Sequence, residues 1–555
     1  MTRIQALLVA PAILSTTLAA ESCTADQSCW PSSKTWAFFN STIAGKLVAP
    51  RPAAWPCHDP NYDETACNNV KTNWGNSFWR SNQTGAMQDL AWESMGCDID
   101  TPRNVTCVQG FVPVYSVAAE SASDVSKAVK FASQHNLKLV IKNTGHDYLG
   151  RSSGEGAFSI WTHKLKGIKF TDSFVSKGCS NAKYGVPAVT LGAAEQWLDV
   201  YKAADDHNVT VVGGAARSVG AAGGWVQGGG HSPLGGLYGM GVDNVLQFTV
   251  VKASGQVVIA NGCQNKDLFW ALRGGGGSTW GVTLDVTYKT HPALSSAVAL
   301  GFQVNTTSPE QLASATATFL ENLPNVTDSG VRGYCFWLNS IHSLGCIFLH
   351  PNSPSVESTN STLEPMFTWA SQNNGVVVGT FGTTHRTFYD MFTTYITDIG
   401  IASASYTGSR LVSRTALTEN SKQLAQLSLA HGTPMAVSVN IVGGGAVSKA
   451  DPESTGLNPQ WRKDALLSWM FSGGWNDTTP PEMIELTKQA LTNFTQELGQ
   501  YSGLDQAAYL NEADPREPQW KKAFFGSHYD RLLKIKRAVD PKGLFTCNRC
   551  IGSDL

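Results

Sequence analysis

The sequence predicts an α+β protein with two lobes and a separate C-terminal segment. Over residues 109–294, strand-like runs alternate with helical periods and glycine-rich loops. Over residues 295–500, strand-like runs alternate with longer amphipathic helices, and residues 501–555 carry a dense pattern of their own. With 555 residues and 42% hydrophobic content, the chain is long enough to fill two or three packed cores.

Residues 1–20 have the pattern of a secretory signal peptide. Arg3 supplies the positive charge, an apolar run covers residues 6–14, and the small residues Ala19 and Ala20 suit cleavage. The apolar run is too short to span a bilayer, and a buried N-terminal helix is the alternative interpretation. We therefore expect a secreted, extracellular protein with no membrane partner.

Cysteine and asparagine usage also favours secretion. All twelve cysteines follow residue 20, and an even number is what complete pairing in an oxidising compartment would give. The sequence leaves the disulfide pairing open. Eight of the cysteines form four pairs that are close along the chain: Cys23 and Cys29, Cys57 and Cys67, Cys97 and Cys107, Cys335 and Cys346. Nine Asn-x-Ser/Thr sequons predict a glycoprotein: Asn40, Asn82, Asn104, Asn208, Asn305, Asn325, Asn360, Asn476 and Asn493.

Residues 21–108 show little periodicity and predict an irregular region braced by disulfides. Order begins in the region 109–294, where a helix is expected to start after Ser121 or Ser123 and a buried strand follows at 137–143. This βαβ-like unit ends in a loop rich in Gly and Ser, and further strands and helices continue to residue 294.

Glycine clusters within this first lobe indicate a bound ligand. The chain has 53 glycines, and they are concentrated around residues 143–147, 213–236 and 274–281. Glycines let a backbone approach a ligand closely and turn its N–H groups toward a phosphate. None of the clusters has the GxGxxG opening of a Rossmann fold, so a nicotinamide dehydrogenase of that type is disfavoured.

The second lobe, residues 295–500, predicts an antiparallel sheet with helices on one face. The last segment, 501–555, is expected to pack on the first lobe. Its Cys547 and Cys550 are read as a late disulfide or as partners of other cysteines, because no second CxxC exists to complete a zinc site.

Two signatures resemble a known family. The loop Asn143-Thr144-Gly145-His146-Asp147 and the region around it resemble the PCMH-type FAD-binding domain of the vanillyl-alcohol-oxidase superfamily. The chain end resembles that of berberine-bridge-enzyme-like oxidases, closest in style to secreted fungal members such as isoamyl alcohol oxidases. That resemblance is carried by Tyr509, Asn511, Glu512, Asp514, Trp520, Phe524, Phe525, Gly526, Tyr529, Arg531, Leu532, Ile535, Lys536, Asp540 and Pro541.

The resemblance implies FAD bound covalently through His146, whose ring would bond the 8α-methyl carbon of the flavin. Some relatives add a cysteine bond to flavin C6, but Ala216 stands at the equivalent position here, so a single bond is expected. Cys179 and Cys263 are read as structural. The family also implies an FAD site formed by Asn143, Thr144, Gly145, His146, Asp147, Ser152, Arg217, Ser218, Val219, Gly220, Gly223, Gly224, Gly229, Gly230, His231, Val282, Tyr509 and Asn511.

The catalytic base is expected at Glu512, with Tyr509 as the alternative acid/base group. A carboxyl beside a flavin and partly out of water would have its pKa raised by burial, toward the range useful for proton abstraction. The competing interpretation has Glu512 turned away and paired with an Arg or Lys. Trp225 is expected to pack, and the role of His231 is left open.

The expected activity is hydride transfer from an alcohol C–H to flavin, with O2 as the acceptor and H2O2 as product. Val219 matches the position that gates oxygen in relatives. C–N oxidation or ring closure in secondary metabolism, a dehydrogenase using another acceptor, and a non-catalytic flavin- or carbohydrate-binding protein are the alternatives. The net charge of −2 argues against a nucleic-acid partner, and neither HExxH nor a P-loop occurs, so no metal is expected.

Overall fold

The computed structural model describes residues 22–179, 184–429 and 435–554, and the predicted signal peptide lies outside them. Helices and sheets are mixed throughout, which confirms the α+β class. The described helices are Ser33–Thr42, Glu64–Asn73, Ser77–Ser81, Ala122–Gln134, Trp197–Asp206, Gly224–Gln227, Gly235–Tyr238, Lys266–Leu272, Pro309–Asp328, Val356–Asn360, Glu364–Ser371, Phe388–Tyr395, Arg414–Glu419, Ser421–Leu429, Ala446–Lys449, Pro481–Tyr501, Trp520–Phe525 and Tyr529–Val539.

The first lobe contains two sheets. In the mixed sheet, the order is Leu47–Val48, Tyr115–Ala118, Phe158–Trp161 and Leu139–Lys142, and only the first pair is antiparallel. Ser121 caps the connecting helix, because its Oγ accepts a hydrogen bond from Asp124 N at 3.2 Å. The antiparallel sheet has the order Ile168–Phe174, Val186–Gly192, Val282–Lys289, Val245–Val251 and Val257–Asn261. A short ribbon pairs Val209–Thr210 with His291–Pro292.

The second lobe is built on a seven-stranded antiparallel sheet, as predicted. The long helices Pro309–Asp328 and Pro481–Tyr501 pack on one face of it. Side chains alternate along the strands, so Cys335 enters the helix-covered core while Tyr334 lies on the opposite face. The strand order is Val377–His385, Ala297–Asn305, Ser343–Pro351, Arg332–Leu338, Met435–Ile441, Ala465–Trp475 and Ala404–Ser413.

The N-terminal region is more ordered than its sequence predicts. It contains three helices, whose first turns are capped by the side chains of Ser32, Asp63 and Asn76. Capping side chains and disulfides, rather than a periodic apolar face, stabilise these helices. The hydrophobic periodicity of the sequence therefore does not reveal them. Asp89 anchors the region to the second lobe by accepting hydrogen bonds from Ser405 N at 3.2 Å and Ser405 Oγ at 3.1 Å.

All twelve cysteines are paired in disulfides. Each of the four cysteine pairs that are close along the chain forms a disulfide. Cys179 pairs with Cys263, and Cys547 pairs with Cys550. The alternative in which Cys547 and Cys550 bond to other cysteines is therefore not realised. Within the described residues, no helix combines the length and apolar character needed to cross a membrane.

The C-terminal segment makes buried contacts with both lobes. Lys536 is buried and donates to Thr279 O at 2.8 Å, Phe545 O at 2.7 Å and Asp540 at 2.6 Å, next to the third glycine cluster. Toward the second lobe, Arg410 donates to Glu517 at 2.7 Å, and both side chains are 0% exposed. The segment thus joins the glycine-rich loops to the seven-stranded sheet.

Removing Arg410 should strongly destabilise this junction. The Arg410→Met variant leaves the Glu517 carboxylate buried without its cation, and such losses typically cost about 3–5 kcal/mol. Arg414→Met is the matched control, because its ion pair with Asp328 is solvent-exposed and worth under about 1 kcal/mol. Denaturant unfolding of the three proteins measures the difference. Equal stabilities of Arg410→Met and wild type would contradict the importance of the buried pair.

Candidate active site

A cavity of about 470 Å³ lies between the first lobe and the seven-stranded sheet, on the face of the sheet opposite the two long helices. One wall is formed by the glycine-rich loops within 143–152, 214–227 and 277–283. Segments 395–399 and 509–512 also line it. The sheet contributes Tyr334, Phe336, Ile347, Ser438, Asn440 and Met470.

The glycine wall has room for a flat ligand held against the backbone. A Cβ added at Gly223 or Gly224 would meet no atom within 4 Å and would project into open space. A Cβ at Gly277 would lie 3.0 Å from Gly224 Cα, and one at Gly220 would collide with the amide of Asn143. Side chains at these positions would fill the cavity or push its loops apart, so the glycines keep it open.

The loop 143–152 is fixed by its own hydrogen bonds. Asn143 Nδ2 donates to Ala193 O at 2.6 Å, and Gly145 takes a positive φ of 84° at the turn. Asp147 then accepts hydrogen bonds from Ser152 N at 2.5 Å and Ser152 Oγ at 2.9 Å. These contacts place His146, between Gly145 and Asp147, on the cavity wall.

His146 is hydrogen-bonded to a serine and, through it, to a carboxylate. His146 Nε2 lies 2.7 Å from Ser218 Oγ, and the Ser218 hydroxyl donates to Asp398. Asp398 also accepts from Ser77 Oγ at 2.7 Å, from Arg217 N at 2.6 Å and from Ser218 N at 3.2 Å. Burial lowers the pKa of His146 to about 4, and the nearby Asp398 opposes this shift only in part. The imidazole is therefore neutral near pH 7.

Glu512 faces the cavity and belongs to a second polar cluster. Its Oε1 lies 3.0 Å from His231 Nε2, and its Oε2 accepts a hydrogen bond from Asn440 Nδ2 at 3.0 Å. The Glu512 side chain is 18% exposed. The expected alternative of an Arg or Lys partner is not what the structure shows, and His231, whose role the sequence left open, is the partner instead.

Two tyrosines border this carboxylate. Burial raises the pKa of Tyr509 well above its ordinary value, and the charge of Glu512 adds to the shift. Asn511 Nδ2 donates one hydrogen bond to the Tyr509 hydroxyl at 2.8 Å and another to Trp225 O at 3.0 Å. The buried hydroxyl of Tyr334 has no hydrogen-bond partner among the described residues. Both phenols are therefore protonated at neutral pH, and that of Tyr334 is available to a ligand.

The structure brings most of the sequence-predicted site residues to this one cavity. Trp225 lines it while also packing against Trp197, with ring centroids 4.7 Å apart. The predicted residues on its lining are Asn143, Thr144, Gly145, His146, Asp147, Ser152, Val219, Gly220, Gly223, Gly224, His231, Tyr509, Asn511 and Glu512.

Five predicted FAD contacts lie outside this lining. Ser218 stands behind His146, and Arg217 donates to Thr393 O at 2.5 Å. Gly229 and Gly230 form a turn with φ of 122° and 71°. Val282 is buried in the hydrophobic core, although its neighbours Gly281 and Thr283 reach the cavity. Direct contact of these five with FAD stays a prediction.

Sequence reasoning did not identify the individual residues that the second lobe contributes to the site. Asp398, Asn440 and Tyr334 come from separate segments of that lobe and carry no motif. Tyr334 and Asn440 are paired neighbours on adjacent strands, so correct strand register would have placed them together. Among the described residues, no group of three or more His, Cys, Asp or Glu side chains could hold a metal ion.

Comparison with known proteins identifies the family. The FAD binding domain model matches residues 113–261, and the berberine and berberine-like model matches residues 508–552. The chain is 44% identical to an uncharacterized FAD-linked oxidoreductase of Arthroderma benhamiae over 96% of this chain and 94% of that protein. It is 35% identical to a flavin-dependent oxygenase of Aspergillus ustus, over 94% and 97% of the two chains.

Solved structures agree with these matches. Two VAO-type flavoproteins of Myceliophthora thermophila C1 superpose with TM-scores of 0.88 and 0.85, at 29% and 31% identity. Each superposition covers 96% of this chain and 97% of the other. These findings confirm the resemblance seen in the His146 loop and the C-terminal segment. The chain belongs to the berberine-bridge-enzyme-like branch of the vanillyl-alcohol-oxidase (VAO) superfamily and is an FAD-dependent oxidoreductase.

Proposed function

We propose that the protein is a secreted oxidase that takes hydride from an alcohol, using FAD attached covalently through His146 alone, and passes the electrons to O2. The observation that carries this proposal is the shared cavity. The neutral His146 and the hydrogen-bonded pair of Glu512 and His231 all line this cavity. A residue that could anchor the flavin and a group that could act as acid or base therefore border the same space.

The cavity fits FAD. Gly220, Gly223, Gly224 and Gly277 leave the wall without side chains, and the loop 143–147 would hold the cofactor beside them. When bound, FAD supplies the two-electron acceptor that no side chain of the protein can replace. The chain itself must bind the substrate, orient its C–H bond and remove its hydroxyl proton.

Glu512 is the residue best placed to remove that proton. Each carboxylate oxygen accepts one hydrogen bond, from His231 or Asn440, and keeps a lone pair for a substrate hydroxyl. Tyr509 suits this task less well because its raised pKa keeps the phenol protonated. The Tyr334 hydroxyl, which has no hydrogen-bond partner among the described residues, would orient the substrate oxygen.

A single covalent link is supported by the cysteines. All twelve are held in disulfides, and none lines the cavity. Ala216, which lines it, has no thiol. No cysteine of the chain is therefore free to form the second bond seen in some relatives.

Secretion is supported by the surface. None of the nine sequon asparagines is buried, so each can accept a glycan. Six disulfides fit an oxidising compartment. Endoglycosidase treatment of the native protein tests this, and an unchanged mass would contradict it.

The alternative functions differ from this proposal in the electron acceptor or in the substrate. A dehydrogenase using a quinone would need the same hydride site, and so would C–N oxidation or ring closure in secondary metabolism. The Aspergillus ustus relative, named as a flavin-dependent oxygenase, makes oxygen a reasonable acceptor for this branch. Val219 lines the cavity, as expected for a gate to oxygen. A non-catalytic binding role is disfavoured by the Glu512 cluster.

Alcohols should bleach the flavin and oxygen should restore it. Mixing the anaerobic protein with a panel of alcohols should reduce the absorbance of bound flavin for at least one of them. Addition of oxygen should then restore the absorbance and release one H2O2 per flavin. Reoxidation by a quinone but not by oxygen would instead identify a dehydrogenase.

His146→Ala should separate flavin from the polypeptide. After acid denaturation, flavin fluorescence should remain with the wild-type chain and leave the variant, because the anchor nitrogen is gone. His342→Ala, which changes a histidine outside the cavity lining, is the control and should retain its flavin. Flavin that stays attached in the His146 variant would show that the anchor lies elsewhere.

Glu512→Gln should slow flavin reduction by roughly 10²–10⁴-fold, since the amide keeps the shape but cannot take a proton. Anaerobic stopped-flow with the best alcohol from the panel measures the rate. Glu485→Gln, an exposed carboxyl paired with Arg516, serves as the control. A wild-type rate and pH profile in the Glu512 variant would remove this residue from the mechanism.

A further inference from the structure

Asp398 accepts four hydrogen bonds, and it donates none. Its donors are the Ser77 hydroxyl, the Arg217 and Ser218 backbone N–H groups, and the Ser218 hydroxyl. Only an ionised carboxylate is a pure acceptor with room for four donors. The Ser218 hydroxyl hydrogen is thus committed to Asp398.

This commitment fixes the tautomer of His146. Because the Ser218 hydrogen points to Asp398, Ser218 Oγ can only accept from His146 Nε2, which lies 2.7 Å away. Nε2 must therefore carry the ring proton, and Nδ1 keeps a free lone pair. Since the ring lines the cavity, Nδ1 is the nitrogen left for a ligand.

We infer that Ser218 and Asp398 form a relay that prepares His146 to bond the cofactor, holding Nδ1 as the nucleophile and receiving the Nε2 proton. This inference rests on the proposed covalent link. The low pKa of His146 is consistent with it, because the ring is neutral before the bond forms.

The relay gives the bond-forming step a place for its proton. Nδ1 would donate its electron pair to the methyl carbon at ring position 8, as one C–H bond of that methyl breaks. The methyl proton would pass to solvent, and the electron pair of the broken bond would remain on the ring system, which would be the oxidant. The Nε2 proton leaves through Ser218 to Asp398. Oxygen then removes the two electrons, as in the proposed catalytic cycle.

The backbone around Ser218 also has supports outside the relay. Gln196 Nε2 donates to Ser218 O at 2.7 Å, and Trp197 N donates to Val219 O at 3.1 Å. Ser218→Ala and Asp398→Asn therefore change the proton path while leaving these two backbone hydrogen bonds in place. Ser218→Thr restores a hydroxyl, and Ser77→Ala removes a different donor to Asp398 without touching His146.

The test compares total flavin per native chain with the fraction that stays attached after acid denaturation. For Ser218→Ala and Asp398→Asn we expect total flavin within about twofold of wild type and an attached fraction at least tenfold lower. Ser218→Thr and Ser77→Ala should remain close to wild type. This split, with rescue by the hydroxyl, is not expected from a purely structural role.

Three outcomes separate the hypotheses. A wild-type attached fraction in both relay variants would overturn the relay while leaving the His146 link intact. Parallel loss of total and attached flavin would overturn it as well, because it would show a folding defect. Absence of attached flavin in the wild-type protein would instead contradict the proposed covalent link itself.

Discussion

The carboxylate of Asp398 is the point at which three parts of this chain meet. It comes from the second lobe, and it binds Ser77 of the N-terminal region and the backbone of Arg217 and Ser218 in the first lobe. These donors offset the cost of partly removing the carboxylate from water, so the three parts are coupled at this point. His146 is connected to this meeting point through Ser218.

The C-terminal segment completes the same arrangement from the other side. Lys536 binds the carbonyl of Thr279 in the third glycine cluster, and Arg410 of the sheet binds Glu517. Glu512 precedes both anchor residues of this segment, Glu517 and Lys536, along the chain. Its carboxylate is held at the boundary of the lobes, where His231 and Asn440 approach it from opposite walls. The C-terminal segment thus contacts the glycine wall and the sheet through interactions outside the cavity lining.

Much of this could be predicted from the sequence because local motifs carried it. The glycine clusters, His146 and the Tyr509-x-Asn511-Glu512 motif each lie within a short stretch, and the structure brings all of them to one cavity. The partners from the second lobe could not be predicted, because their proximity depends on strand register and on how two lobes pack. Ser218 illustrates the limit, since its motif was visible but its carboxylate partner lies 180 residues away.

The walls of the cavity come from residues spread between Ile141 and Glu512. A growing chain that has been synthesised through the first lobe has the glycine loops and His146, but it lacks Asp398, Asn440 and Glu512. The cavity with all of these walls therefore forms only after nearly the whole chain has been synthesised. A chain cut after the first lobe would keep the glycine loops and His146 but would lose the walls to which Asp398, Asn440 and Glu512 belong.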